Sequence, residues 1–252
     1  MRFASLGSGS AGNGLVVEAG RTRVMLDCGF GLSDTISRLA RLGLKPSDLA
    51  GIVITHEHSD HIGGAGRFAR KHTLPVWLTA GTLSMAQDMD KTDVRVIDSH
   101  ALFEIGDLAI QPFPVPHDAR EPVQFVFGDG ARRLGVLTDV GCSTQHIETM
   151  LADVEALVLE CNHDRTMLAQ GAYPAGLKQR VGGRFGHLEN SQSAELLGKL
   201  KHDKLQCVMA AHISRKNNTP ALARRALAQV LDCADDEVRV ACQFAGFDWI
   251  RV

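Results

Sequence analysis

The stretch Ile52-Val53-Ile54-Thr55-His56-Glu57-His58-Ser59-Asp60-His61 constrains this chain more than any other. Its apolar, β-branched start predicts a buried strand. Three histidines and an aspartate follow within six residues. Alternate side chains of an extended segment share a face, so His56 and His58 can grip one metal ion together. Asp60 and His61 lie beyond the turn that Ser59 begins and can reach a second ion. The Gly63-Gly64 pair then lets the backbone turn tightly into the next segment. A helical H-E-x-x-H zinc motif does not fit, because His56 and His58 are two apart and a strand precedes them.

The rest of the chain suits an ordinary globular fold. Its 252 residues are 44% hydrophobic and 22% charged, as in ordinary soluble globular proteins. A net charge of −2 excludes a generally basic nucleic-acid coat. No apolar run approaches membrane-spanning length, and Met1-Arg2 leads straight into a strand without a signal peptide. The expectation is a cytoplasmic protein without membrane contact. Cysteines stand at 28, 142, 161, 207, 233 and 242 and form no C-x-x-C pair, which predicts reduced, structural thiols. Cys28, Cys142 and Cys161 each fall beside a suspected site segment, so thiol ligation stays open.

Strands are predicted at 2–6, 15–19 and 22–27, then a helix over 33–43 capped by Ser33 and stopped by Gly43. Asp27, ending its strand, can anchor the histidine loop from behind, as metal-ligating histidines require. After the loop come helices at 62–72 and 80–90 and strands at 76–78 and 94–97. Further strands are predicted near 108–113, 122–127, 133–138, 156–160, 205–210, 237–242 and 246–251. Helices are expected at 144–151 under a Ser143 or Thr144 cap, at 191–201, and at 220–231 with Pro220 in the first turn. The loop Gly7-Ser8-Gly9-Ser10-Ala11-Gly12-Asn13 reads equally as a phosphate-binding nest or as a tight hairpin connection. No internal repeat or linker is evident in the sequence.

The pattern His56-x-His58-x-Asp60-His61 resembles the signature of the metallo-β-lactamase superfamily. That resemblance implies an α/β fold, the αββα four-layer sandwich, with metals at one edge of its two sheets. It implies a first ion on His56, His58 and His117, in Pro116-His117-Asp118. A second falls to Asp60, His61 and His212, with Asp139 of Thr138-Asp139-Val140-Gly141 bridging. Two divalent ions, zinc or manganese, would suit these donors and would activate water for hydrolysis. The metal site alone does not choose among esters, lactams and phosphodiesters.

Flanking residues favour phosphate. Residues 178–225 carry ten Lys or Arg against three acids, a local net of +7 that could attract a polyanion. Lys199, Lys201 and Lys204 read as solvated helix faces, whereas Arg215 and Lys216 closely follow His212. Gly186-His187-Leu188 resembles the general-acid loop of transfer-RNA-processing ribonuclease Z, with Glu160 standing where the assisting glutamate is expected.

Several segments together resemble the YycJ/WalJ-type branch. They include the Gly/Ser loop, Leu159-Glu160-Cys161-Asn162-His163-Asp164, Gly186-His187-Leu188-Glu189-Asn190 and His212-Ile213-Ser214-Arg215-Lys216-Asn217. Cys161 and Glu189 depart mildly from that pattern. The resemblance implies a 5′-to-3′ DNA exonuclease; the low aromatic content of the chain adds the expectation of backbone recognition with little sequence preference. Its catalytic residues would be Asp60, His187 and Glu160, and Ser10, Asn13, Arg215 and Asn217 would hold phosphates. Only 72 residues separate Asp139 from His212, which predicts one domain over 1–252 without a β-CASP insertion. Aromatic residues are 5% of the chain, so a long base-stacking groove is not expected. The rival readings are a small-molecule hydrolase of cyclic phosphodiesters, thioesters or lactones, and a non-catalytic metal-stabilised regulatory module.

Overall fold

The computed structural model describes residues 1–252. The first half runs β1 (Arg2–Gly7), β2 (Gly14–Ala19), β3 (Thr22–Leu26), α1 (Leu32–Arg41), β4 (Gly51–Val53), α2 (Ser59–Ile62), α3 (Ala65–His72), β5 (Val76–Thr79), α4 (Ala80–Met85) and β6 (Val94–Ile97). The second runs β7 (Phe103–Ile105), β8 (Leu108–Pro114), β9 (Val123–Gly128), β10 (Arg133–Leu137), α5 (Gln145–Leu151), β11 (Ala156–Glu160), α6 (Arg165–Gln170), α7 (Ala175–Val181), α8 (Asn190–Leu200), β12 (Cys207–Ala211), α9 (Pro220–Leu231), β13 (Arg239–Val240) and β14 (Phe247–Arg251).

Each half makes one sheet by the same plan. β1, β2 and β3 pair antiparallel, then β3 to β6 pair parallel; β7 to β10 pair antiparallel, then β10 to β13 parallel. β14 returns to the first sheet beside β1. The two halves thus share a layout that their sequences do not show.

Strand side chains alternate between faces, and here both faces are covered, so the strands read as continuous apolar runs. Val17, Val24, Val53, Phe125, Phe127, Val136 and Met209 meet between the sheets. Residues one register away point outwards: Val16, Met25 and Ile52 pack with Leu39 and Phe68 of α1 and α3. Leu157 and Leu159 pack with Leu196 of α8 and Leu227 of α9. These three apolar layers make the expected αββα sandwich.

Local expectations differ from the structure in a few places. The cap of α1 is Gly31, without a side-chain bond, and Ser33 lies inside the helix. Thr144 caps α5 by accepting the Ile147 amide. The helix foreseen over 80–90 ends at Met85, and β13 is two residues long. The three-residue strand β7 is too short to have shown a period. Gly63 and Gly64 adopt ordinary right-handed backbone, so tightness has another cause. A Cβ on Gly64 would stand 1.9 Å from the Phe30 carbonyl oxygen, where the loop is pressed against the chain.

Candidate metal centre

Parallel strands deliver their C-terminal ends to one edge of the sandwich. There β3 presents Asp27, β4 the histidine loop, β10 Asp139, β11 Glu160 and β12 His212. β8 runs in the same sense as β10 and brings His117 to that edge. Asp27, Asp139 and His212 leave their strands with φ of 60°, 54° and 51°. This left-handed step turns each side chain over the sheet edge. Aspartate tolerates it well, and a histidine less so.

Two donor sets result. His56, His58 and His117 bring their ring nitrogens together, with His58 Nδ1 lying 3.0 Å from His56 Nε2 and 3.2 Å from His117 Nε2. Asp60, His61 and His212 form the second set, with Asp60 Oδ2 at 3.5 Å from His61 Nε2 and 3.6 Å from His212 Nε2. Asp139 lies between them. Its Oδ2 is 3.1 Å from His61 Nε2, and its Oδ1 is 3.6 Å from His212 Nε2 and 3.9 Å from His117 Nε2. Donors bonded at 2.0–2.2 Å to a tetrahedral ion stand about 3.3 Å apart, close to these spacings.

Two unsatisfied atoms bear on what the cluster could hold. His212 Nε2 is buried without a hydrogen-bond partner, and Asp139 Oδ2 is buried with only the His61 ring near it. Such orphans are costly unless something else meets them. A divalent cation fits both, and the donor set of imidazoles and carboxylates suits it.

Each ring is also fixed from behind. Asp27 Oδ2 meets His61 Nδ1 at 2.8 Å, as its position predicts, and also holds Thr55, whose hydroxyl lies 2.9 Å from His56 Nδ1. His117 Nδ1 donates to the Gly186 carbonyl at 3.0 Å, and His212 Nδ1 meets Glu160 Oε1 at 3.2 Å. The partner on Nδ1 would leave Nε2 to face an ion in all four rings. His58 alone presents Nδ1. Gly29 lets the Asp27 segment approach closely, since a Cβ there would stand 1.8 Å from the Asp60 carbonyl oxygen.

Glu160 is the hub of the far wall. Fully buried, it accepts the amides of Asp139, Val140 and Leu188 at 3.0–3.1 Å and meets His187 Nδ1 at 2.9 Å. Burial would raise its pKa, but His187 and His212 outweigh that and bring it down to about 2. Asp60 is likewise brought down to about 2 by His212 and His61 against the effect of burial. Burial lowers the pKa of His187, and Glu160 with Asp139 reverses this and raises it.

Ser10, His58, Asp60, Asp118, Asp139, Arg180 and His187 line a cavity of roughly 190 Å³ over the cluster. Ser10 is therefore at the site. Arg215 is exposed and does not line this cavity; its guanidinium lies 4.9 Å from the Phe244 ring. Asn13 and Asn217 are placed otherwise. Asn13 is buried, and its amide bridges Gly9 to Asp60, joining the Gly/Ser loop to the histidine loop. Asn217 is 1% exposed, with its oxygen near Gly171. Of the basic segment, Lys199 pairs with Glu148 and Lys201 donates to the Val230 carbonyl, both on the surface. Arg180, paired with Asp118 at the mouth, carried no local sign in the sequence beyond its place in that segment.

Comparison with known proteins agrees with this geometry. Residues 22–213 match the beta-lactamase superfamily domain. The chain is 34% identical over 236 residues to exodeoxyribonuclease YycJ of Bacillus anthracis, covering 92% of this chain and 89% of that one. It is 30% identical over 240 residues to exodeoxyribonuclease WalJ of Streptococcus pneumoniae, covering 93% and 89%. Among solved structures, the metallo-beta-lactamase fold protein YhfI of Bacillus subtilis superposes with a TM-score of 0.76 at 16% identity, covering 99% and 98% of the two chains. Zinc-bound PqqB of Methylobacterium extorquens gives 0.75 at 17%, with both chains covered fully. These two likenesses concern the fold. Matched along most of its length and carrying the donor set at the expected edge, the chain belongs to the beta-lactamase superfamily, in the family of the YycJ and WalJ proteins.

Proposed function

We propose that this chain is a metal-dependent nuclease that shortens DNA from its 5′ end, acting in the cytoplasm as one unit over residues 1–252. The observation that carries the reading is Asp139 shared by two donor sets, beside a histidine held by a buried carboxylate. In this reading His56, His58 and His117 hold one divalent ion and Asp60, His61 and His212 a second, with Asp139 between them and zinc or manganese as the metal. Bound there, the ions supply a water acidified towards neutrality and offset charge on the phosphate oxygens.

The chain's own residues do the rest. Asp60, kept ionised, accepts a proton from the attacking water. As the bond between phosphorus and the 3′-oxygen breaks, His187 gives its Nε2 proton to that oxygen, a poor leaving group. Glu160 keeps the ring turned and stabilises its positive charge. Ser10 and Arg215 hold the phosphate, while Asn13 and Asn217 support the loops that carry them. The two named exodeoxyribonucleases, at 34% and 30% identity, support the choice of DNA over small molecules.

The test is a 5′-phosphorylated, 3′-labelled single-stranded DNA incubated with the manganese-loaded protein and with its Asp60→Ala variant. Stepwise shortening from the 5′ end by the first and none by the second is expected. A fully metallated protein that leaves the DNA intact would overturn the reading in favour of a small-molecule hydrolase.

A further inference from the structure

The ten phenylalanines of this chain divide into two groups. Eight are buried or half-buried. Phe185 and Phe244 are 60% and 61% exposed, the two most exposed large apolar side chains in the protein. One exposed ring alone means little. These two, however, adjoin segments that build one cavity: Phe185 precedes Gly186, which lines it, and Phe244 follows Gln243, which holds the loop of Ser10, which also lines it.

Phe185 belongs to the wall of the first donor set. Its carbonyl accepts the Asp118 amide at 2.9 Å, next to His117, and it precedes Gly186, whose carbonyl fixes His117. Phe244 belongs to the wall of the second. Gln243 before it holds the Gly/Ser loop through the Ala11 amide at 2.9 Å and the Gly12 carbonyl at 2.8 Å, and Ser10 of that loop lines the cavity. Arg38 donates to the Phe244 carbonyl at 2.7 Å. In both cases the backbone is pinned and only the ring is left out.

An arginine lies over one of the two rings. Arg215 lies over Phe244, its guanidinium 4.9 Å from the ring centre, and the ring is still largely exposed. Arg180 is paired with Asp118, the residue bonded to the Phe185 carbonyl. A flat apolar face beside a cation is what a nucleotide offers a partner for: the base stacks and the phosphate pairs. A phosphodiester joins two nucleotides; Phe244 with Arg215 makes one such combination, and Phe185, next to Gly186 of the cavity wall, offers a second exposed ring.

We propose that Phe185 and Phe244 are the platforms on which the two bases flanking the cleaved phosphodiester stack, so that the site takes unpaired nucleotides. This rests on the phosphodiesterase reading and names the form of its substrate. A base can lie on a protein ring only after leaving its complementary strand, so a duplex must fray before it enters. Every base has a π-face, so the contact tolerates any sequence.

Two arms test it. In the first, the manganese-loaded protein degrades a single-stranded oligonucleotide whose first or second nucleotide is abasic. Phe185→Leu and Phe244→Leu keep apolar bulk and remove the flat face. Each should raise KM by about 5- to 150-fold, with a smaller change in kcat, and Trp at either position should restore it. Each variant should also abolish the penalty of one abasic position and keep that of the other. In the second arm, the Asp60→Ala protein binds an oligonucleotide carrying 2-aminopurine at those positions. Its fluorescence should be quenched, and the added Leu substitutions should remove the quenching. Unchanged KM in both Leu variants with DNA still degraded, or bound 2-aminopurine left unquenched, would overturn the proposal. Loss of the nuclease reading would show separately, as absent cleavage in the fully metallated wild type.

Discussion

Glu160 Oε1 meets His187 Nδ1 at 2.9 Å and His212 Nδ1 at 3.2 Å, so one buried carboxylate steers both a candidate general acid and a candidate ligand. The two tasks separate on mutation. His187→Ala should lower kcat by about 10²- to 10⁴-fold with bound metal unchanged. Glu160→Gln should lower turnover and also weaken metal binding by about 10- to 100-fold. Steady-state kinetics with metal analysis of the dialysed proteins distinguishes them. Loss of metal by the His187 variant in step with its activity would make His187 a ligand.

Asp27 would act on a bound metal through His61 directly and, by way of the Thr55 hydroxyl, through His56. Its left-handed backbone suits asparagine equally, so Asp27→Asn removes the charge while keeping the turn. Metal affinity should fall by about 10- to 100-fold, with little change in the circular dichroism spectrum. Retention of both ions through dialysis against a weak chelator would show that Asp27 does not tune His61.

Metal loading should release protons. In the metal-free chain burial opposes charge on His212, but Asp139, Asp60 and Glu160 outweigh it and carry its pKa up to about 10. His61 is raised well above its ordinary value by Asp139 and Asp27, again against burial. Both rings hold a proton at pH 7 that an ion on Nε2 must displace, so affinity falls as pH falls. Calorimetric titration in buffers of different ionisation enthalpy should give about two protons released per chain. A titration enthalpy that does not vary with the buffer would contradict this.

No cysteine, Cys142 included, joins a candidate donor set. Burial pushes Cys28 and Cys161 each up to about 12, so both are neutral at pH 8, and neither joins a donor set. Brief alkylation of the native protein at pH 8, read by mass spectrometry, should modify exposed Cys242 and spare these two. Replacing Cys28 by Ala should leave bound metal unchanged.

What could be read in one dimension was what lies close in one dimension. His56, His58, Asp60 and His61 sit in one loop, so their spacing alone suggested a shared donor cluster, and folding does bring them together. His117, Asp139, Glu160, His187 and His212 are single residues at the ends of separate strands or loops. They became legible through the resemblance of whole segments and not through spacing. Asn13 and Asn217 stand among small polar residues that look solvent-facing, yet folding turns both inwards. Arg180 meets Asp118 across 62 positions, and Gln243 meets Ala11 across 232, separations at which no local pattern signals a contact. The shared plan of the two sheets stayed hidden because pairing direction leaves no mark on an apolar run.

The left-handed steps at Asp27, Asp139 and His212 limit how this centre can be rebuilt. A β-branched or bulky residue at such a φ is strained whatever its chemistry, so these corners admit in practice only Asp, Asn, His or Gly. Anyone redesigning the metal preference therefore chooses from a very short alphabet at three vertices of the site. A cysteine or glutamate ligand is better introduced at His56, His58 or Asp60, where the backbone is not left-handed.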